Sequence, residues 1–142
     1  MVNIRKGNLD DITFCKKLAD TNRDALGFVV RSKFEDAVKA DCLMVATIDE
    51  DIVGFVIYRH RRTDQQTTLY DLCVGEKWRR NGIAKSLVLA LRSEASLHRR
   101  SRIALKCPVN LEANNFYEHV GFRQIGVQTG KKRNLNIWEM SL

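Results

Sequence analysis

One proline, eight glycines and no low-complexity tract occur in these 142 residues. That scarcity argues against a flexible linker, a second domain or a disordered tail, so a single domain over residues 1–142 is expected. No apolar run approaches the length of a membrane span, and the opening MVNIRKGNLDD lacks the apolar core of a signal peptide. No membrane partner and no export are therefore expected. The four cysteines, Cys15, Cys42, Cys73 and Cys107, form no CxxC and no Cys/His pair. Neither bound metal nor a disulfide framework is expected, and reduced thiols suit a cytoplasmic protein. The chain also has no GxxxxGK[ST] and no GxGxxG, which argues against a P-loop or a Rossmann dinucleotide site. No internal repeat is present.

What is present reads as alternating strands and helices around one core, with 44% hydrophobic residues. A short strand over residues 2–5 precedes "NLDD", where Asn8 and Asp11 approximate a capping box. Ile12, Cys15, Leu18 and Ala19 follow at helical spacing, Gly27 breaks the pattern, and residues 31–40 form a second short helix. Residues 43–48 and 52–58 are a hairpin pair around "DEDI", and residues 67–74 are the fourth strand. Residues 82–98 make the best helix, with Ile83, Leu87, Val88, Leu91 and Ala95 along one stripe. A strand over residues 103–107 is expected to stop at Pro108, then a helix over residues 111–119 to end at Gly121. Residues 122–129 and 135–140 close the chain as a hairpin. The result is an α/β (α+β) fold, a mixed sheet of about seven strands with helices on both faces.

The stretch "WRRNGIAKSLVLALRSEA" sets a basic loop directly before that long helix. A helix N-terminus carries unpaired N–H groups and the positive end of a dipole. Gly82 would let backbone approach a ligand closely, and Arg79 and Arg80 add charge. These parts suit a phosphate. The formal charge of +7 also favours an anionic ligand, although a solvated excess of Lys and Arg would give the same number.

A second block, "CPVNLEANNFYEHVGF", gives the loop its context. The chain resembles the GNAT superfamily of acyl-coenzyme A-dependent N-acyltransferases. Arg79, Gly82 and Ala84 match the family's pyrophosphate loop, and Asn110, Ala113, Phe116, Tyr117, Gly121 and Phe122 match its second block. The order of elements agrees along the chain, while the first 40 residues or so match in element type alone. The resemblance implies a mostly antiparallel seven-stranded sheet with a splay between its fourth and fifth strands. It implies acetyl-coenzyme A as co-substrate, with backbone of Leu72, Cys73 and Val74 along the pantetheine. Arg79, Arg80, Asn81, Gly82, Ile83 and Ala84 would hold the pyrophosphate, Asn110 would hydrogen-bond the pantetheine or shape the mouth of the splay, and Asn114 would lie on the coenzyme.

The implied reaction is direct acetyl transfer to a primary amine of a small molecule, a peptide or protein, or an aminoacyl-linked acceptor. The thioester is already activated, the amine must lose a proton, and the thiolate must gain one. Tyr117 is the implied general acid and contacts the coenzyme at its sulfur. A helix tyrosine packed in the core is the structural alternative. Asp71, on the strand face of Leu69 and Cys73, is the candidate base, and a structural aspartate would read the same way. Some relatives carry a glutamate earlier on this strand, where this chain has Gln66-Thr67-Thr68. His119 is expected to face outward. Cys73 lacks a neighbouring histidine and reads as a buried thiol rather than a nucleophile.

Basic clusters at Arg59-His60-Arg61-Arg62, His98-Arg99-Arg100-Ser101-Arg102 and Lys131-Lys132-Arg133 allow an alternative function, an RNA- or ribosome-associated binding module. The family topology brings the first two clusters together. Neither contains interleaved aromatics for base stacking, which disfavours that reading. The resemblance also implies that the third cluster, with Arg23 and Arg31 against Asp24, borders the acceptor mouth. That rim favours acceptors with acidic groups: an amino acid, an acidic peptide N-terminus or a nucleotide-linked amine. A monomer or a homodimer is expected.

Overall fold

The computed structural model describes residues 1–142. Seven strands form one mixed sheet in the order β1-β2-β3-β4-β5-β7-β6. The strands are β1 Asn3–Lys6, β2 Leu43–Ile48, β3 Asp51–His60, β4 Gln66–Val74, β5 Arg102–Pro108, β6 Arg123–Gln128 and β7 Leu135–Ser141. The helices are α1 Ile12–Asp20, α2 Arg23–Leu26, α3 Arg31–Lys39, α4 Ile83–Leu97 and α5 Ala113–Val120. No helix is long and apolar enough to cross a membrane. The chain divides into two compact units, residues 1–59 with 70–91, and residues 60–69 with 92–142.

In the first unit, β1, β2 and β3 are antiparallel neighbours. β2 and β3 meet through a two-residue turn in which Asp49 and Glu50 both have positive φ, 49° and 71°. That turn hand matches the natural twist of a hairpin. Asn8 accepts from the Asp10 N–H, and its own N–H donates to Asp11, completing the expected capping box. Phe34 of α3 meets Phe55 of β3 edge-to-face at 5.2 Å, inside a core with Ile12, Cys15, Ala37, Val45 and Ile57. Each fully buried large side chain here is worth about 1.5–3 kcal/mol. The helical turn α2 was not expected; its four residues are too few to show a hydrophobic period.

In the second unit, β4 and β5 run parallel over a short ladder, Gln66↔Arg102, Thr67↔Ile103 and Thr68↔Ala104. The short parallel ladder fits a splay between these strands. β5 is antiparallel to β7 along its whole length, Arg102↔Ser141 through Pro108↔Leu135. Pro108 is therefore the last residue of β5 rather than a stop before it. A strand's final residue can use its carbonyl without needing an N–H. β6 pairs with β7 around an irregularity between Gln124 and Gly126. α5 starts at Ala113, later than expected, because Leu111 first closes a turn onto the Pro108 carbonyl at 3.1 Å. Gly121 closes α5 in the left-handed conformation, as expected.

Candidate functional site

The first unit carries the loop-to-helix junction. A 3-10 turn over Glu76–Trp78 leads through Arg79–Gly82 into α4. Arg80 and Gly82 both have positive φ, 67° and 75°. A Cβ added at Gly82 would meet no protein atom within 4 Å. The glycine therefore serves the left-handed turn and leaves its outer side open. The first intrahelical bond runs from the Ser86 N–H to the Gly82 carbonyl at 3.0 Å. Helix geometry leaves the N–H groups of Ile83, Ala84 and Lys85 without intrahelical acceptors, and no acidic residue stands in the first turn. Arg80, Asn81 and Gly82 are exposed at this junction.

Arg79 is exposed too, and the protein holds part of its guanidinium in place. Its guanidinium donates to the Asn22 side chain and, through Nε at 3.4 Å, to the Val74 carbonyl. Its N–H donates to the Glu76 carbonyl at 3.3 Å. Arg79 thus ties the end of β4 and the turn after α1 to the loop, using two of its five side-chain N–H groups. Asn81 is similar: its amide donates to the Trp78 and Arg79 carbonyls and fixes the loop's shape.

Beside this junction, β4 alternates a buried face of Thr67, Leu69, Asp71 and Cys73 with a more open face. Leu72 and Val74 lie on the half-buried side. Gly54 of β3 lies close to the Cys73 carbonyl, where an added Cβ would come within 2.8 Å. The missing side chain lets β3 support this length of β4. Burial pushes the Cys73 thiol up to about 12, and its sulfur faces the Leu18 carbonyl at 3.8 Å. It is a packed thiol, not a nucleophile. Asp71 is buried, and the Lys33 ammonium sits 2.5 Å from its Oδ2.

The second unit carries α5. Tyr117 is buried, its ring edge-to-face with Phe116 at 5.4 Å and Phe122 at 5.6 Å. This packing fixes the ring's direction. Asn114 behaves differently from the expected coenzyme contact. Its Nδ2 donates to the Leu111 carbonyl at 2.7 Å and the Pro108 carbonyl at 2.9 Å. Its Oδ1 accepts from Trp138 Nε1 at 2.9 Å and Asn136 Nδ2 at 3.0 Å. An amide has two N–H donors and an oxygen with two lone pairs, so Asn114 is saturated. It fixes the end of β5 against β7 and has nothing left for a coenzyme. Asn110 is exposed and meets Arg133 Nη1 at 3.5 Å. Lys131, Lys132 and Arg133 are all exposed at the β6–β7 tip. His119 points to solvent as expected.

Other charges are more compensated than the sequence suggests. Arg23 reaches Asp20 at 3.6 Å and lies over the Phe28 ring at 4.7 Å, and Arg31 reaches Glu35 at 3.8 Å. The first two basic clusters do meet, through the stacked rings of His60 and His98 with centroids 4.1 Å apart. Within them Arg61 pairs with Asp64 at 3.5 Å and Arg102 with Glu139 at 3.6 Å. Nothing in this arrangement favours RNA over solvent.

A seven-stranded mixed sheet with a short parallel ladder at its centre and an open glycine turn ahead of α4 defines an acyltransferase architecture. The chain matches the acetyltransferase (GNAT) domain over residues 20–142 and belongs to that family. It is 35% identical over 86 residues to N-acetylaspartate synthetase of Rattus norvegicus, a match covering 60% of this chain and 29% of that protein. The matched region is thus under a third of that relative's length. In structure the chain is similar to Ard1 from Thermoplasma volcanium, with a TM-score of 0.88 at 20% identity, covering 99% of this chain and 97% of that one. It is also similar to N-acetylglutamate synthase from Neisseria gonorrhoeae complexed with coenzyme A and N-acetyl-glutamate. The TM-score there is 0.86 at 15% identity, over 100% of this chain and 35% of that one.

Proposed function

We propose that this chain is an acetyl-coenzyme A-dependent N-acetyltransferase whose acceptor is a primary amine next to an acidic group. The observation that carries the reading is the start of α4. There the N–H groups of Ile83, Ala84 and Lys85 lie past a Gly82 turn with no acid in the first turn. That is a place for an anion, and the pyrophosphate of a coenzyme fits it. The exposed Arg80 adds charge, while Arg79 and Asn81 hold the loop in shape. In this reading the backbone of Leu72, Cys73 and Val74 lies along the pantetheine.

Bound acetyl-coenzyme A supplies an activated thioester, so the chain's residues need mainly to position groups and move protons. The acceptor arrives as an ammonium and must be deprotonated before attack. Asp71 takes that proton, directly or through water, with Lys33 holding its carboxylate in place. Tyr117 returns a proton to the departing thiolate from a ring fixed by Phe116 and Phe122. A backbone N–H of β4 near Cys73 stabilises the developing oxyanion.

The acidic acceptor is supported by the exposed Lys131, Lys132 and Arg133 and by the match to N-acetylaspartate synthetase. Purified protein and labelled acetyl-coenzyme A, tested against aspartate, glutamate, acidic peptides, a nucleotide-linked amine and polyamines, checks both parts. Acetylation favouring acidic amines is expected. A preference for polyamines contradicts the acceptor class, and no acetylation of any amine contradicts the activity.

A further inference from the structure

The geometry points to a site for a divalent transition metal of the zinc type, formed by His60, Glu94 and His98. Sequence spacing conceals it, because only Glu94 and His98 have a helical i,i+4 relation, and His60 comes from the far end of β3. The fold brings the three together: Glu94 Oε2 lies 3.5 Å from His60 Nε2 and 3.3 Å from His98 Nε2. All three ligand atoms fall within 4.8 Å of one another. Ligands bound tetrahedrally at about 2.0–2.1 Å stand roughly 3.3–3.4 Å apart, so the two nitrogen–oxygen separations already suit one shared ion.

The surroundings are those of a metal site as well. His60 Nδ1 lies 2.7 Å from the Thr67 hydroxyl, on a fully buried threonine. An Nδ1–H donated to that oxygen leaves Nε2 with its lone pair toward Glu94, the tautomer a metal requires. Burial pulls the His60 imidazole below its usual range, with His98 and Arg100 adding to the effect and Glu94 opposing it. The Glu94 side chain is 13% exposed, so an ion held there would be largely shielded from water. Two imidazoles and one carboxylate prefer zinc, cobalt, nickel or copper to magnesium or calcium.

Two features temper the affinity. The rings stack with 17° between their planes, so the His98 ring must swing out to aim at a shared ion. Its side chain is 49% exposed beyond the last turn of α4 and has room to do so. Arg100 adds a nearby positive charge, although its Nη1 is turned onto the His98 carbonyl. An ion here fastens the end of β3 to the end of α4. Its role is a structural clip, and turnover of metal-free protein should be intact.

The test uses the full chain without an affinity tag, stripped of metal. Zinc chloride titrated by calorimetry should bind saturably with one equivalent and raise the melting temperature. Cobalt(II) should give a visible spectrum of nitrogen and oxygen ligation with no sulfur-to-metal band. His98→Ala and Glu94→Gln should each weaken binding by about 100-fold, and Thr67→Val by about 10-fold, while His119→Ala changes nothing. His98→Ala removes a half-exposed side chain, so it keeps the test valid if Glu94→Gln fails to fold. Absence of saturable binding, binding unchanged in His98→Ala, or a thiolate spectrum would each overturn the site.

Discussion

Lys33 Nζ lies 2.5 Å from Asp71 Oδ2, joining α3 to the buried face of β4. The aspartate is almost fully enclosed while the lysine is 40% exposed, so the pair has one fixed member and one that reaches solvent. If Asp71 takes the acceptor's proton, Asp71→Asn should lower kcat by about 100-fold and leave acetyl-coenzyme A affinity unchanged. Steady-state kinetics with calorimetry check both. Wild-type turnover in Asp71→Asn would mean that the pair only joins α3 to the sheet.

Tyr117→Phe keeps the ring and its contacts with Phe116 and Phe122. The expected result is a fall in kcat of about 100-fold with coenzyme affinity spared, because the lost hydroxyl acts on the leaving thiolate. Unchanged kcat would assign that proton to water.

Arg5 forks onto Asp11 through both terminal nitrogens at 2.8 and 2.9 Å. The Arg5 bonds, with help from the Asn8 N–H, hold the Asp11 carboxyl below its usual range. A depressed folded value means this stabilisation is complete above the unfolded value of about 4 and is lost as pH falls through the folded one. Asp11→Asn should therefore cost on the order of 1 kcal/mol at neutral pH, with Arg5 partly screened. Thermal melts should show the two proteins converging as pH falls well below 4 or so. A gap that persists in strong acid would show that packing, not charge, sets the difference.

Replacing Lys131, Lys132 and Arg133 with alanine should lower kcat/KM for acidic acceptors and leave coenzyme affinity alone. Exposed charges are screened beyond about 8–10 Å in physiological salt, so the loss should shrink as salt rises. Wild-type rates on every acceptor at low and high salt would remove the tip from acceptor selection.

The features that were legible in the sequence are local ones. The Asn8–Asp11 box, the Gly121 cap and the Gly82 turn each need only a few neighbouring residues, and each formed as expected. The helix stripe of Ile83, Leu87, Val88, Leu91 and Ala95 is buried throughout for the same reason. The side-chain contacts that the sequence did not show belong to residues whose partners are distant. Arg79 finds Asn22 across 57 positions, and Asn114 finds Trp138 across 24. The Asn114 amide is fully used by such partners, while Arg79 gives them two of its five side-chain N–H groups. The His60–Glu94–His98 cluster was missed because His60 and Glu94 are 34 positions apart. The one visible signal was the Glu94–His98 spacing.

The most direct measurement is calorimetric titration of acetyl-coenzyme A into wild type, Gly82→Glu and Gly82→Asn. Gly82→Glu places a carboxylate at the positive end of α4, where the pyrophosphate is proposed to sit. Asparagine tolerates the positive φ of 75° and separates charge from backbone strain. The expected result is a loss of about 100-fold in Gly82→Glu, close to 2.7 kcal/mol, with a much smaller loss in Gly82→Asn. Equal affinity in all three proteins would contradict coenzyme binding at the start of α4.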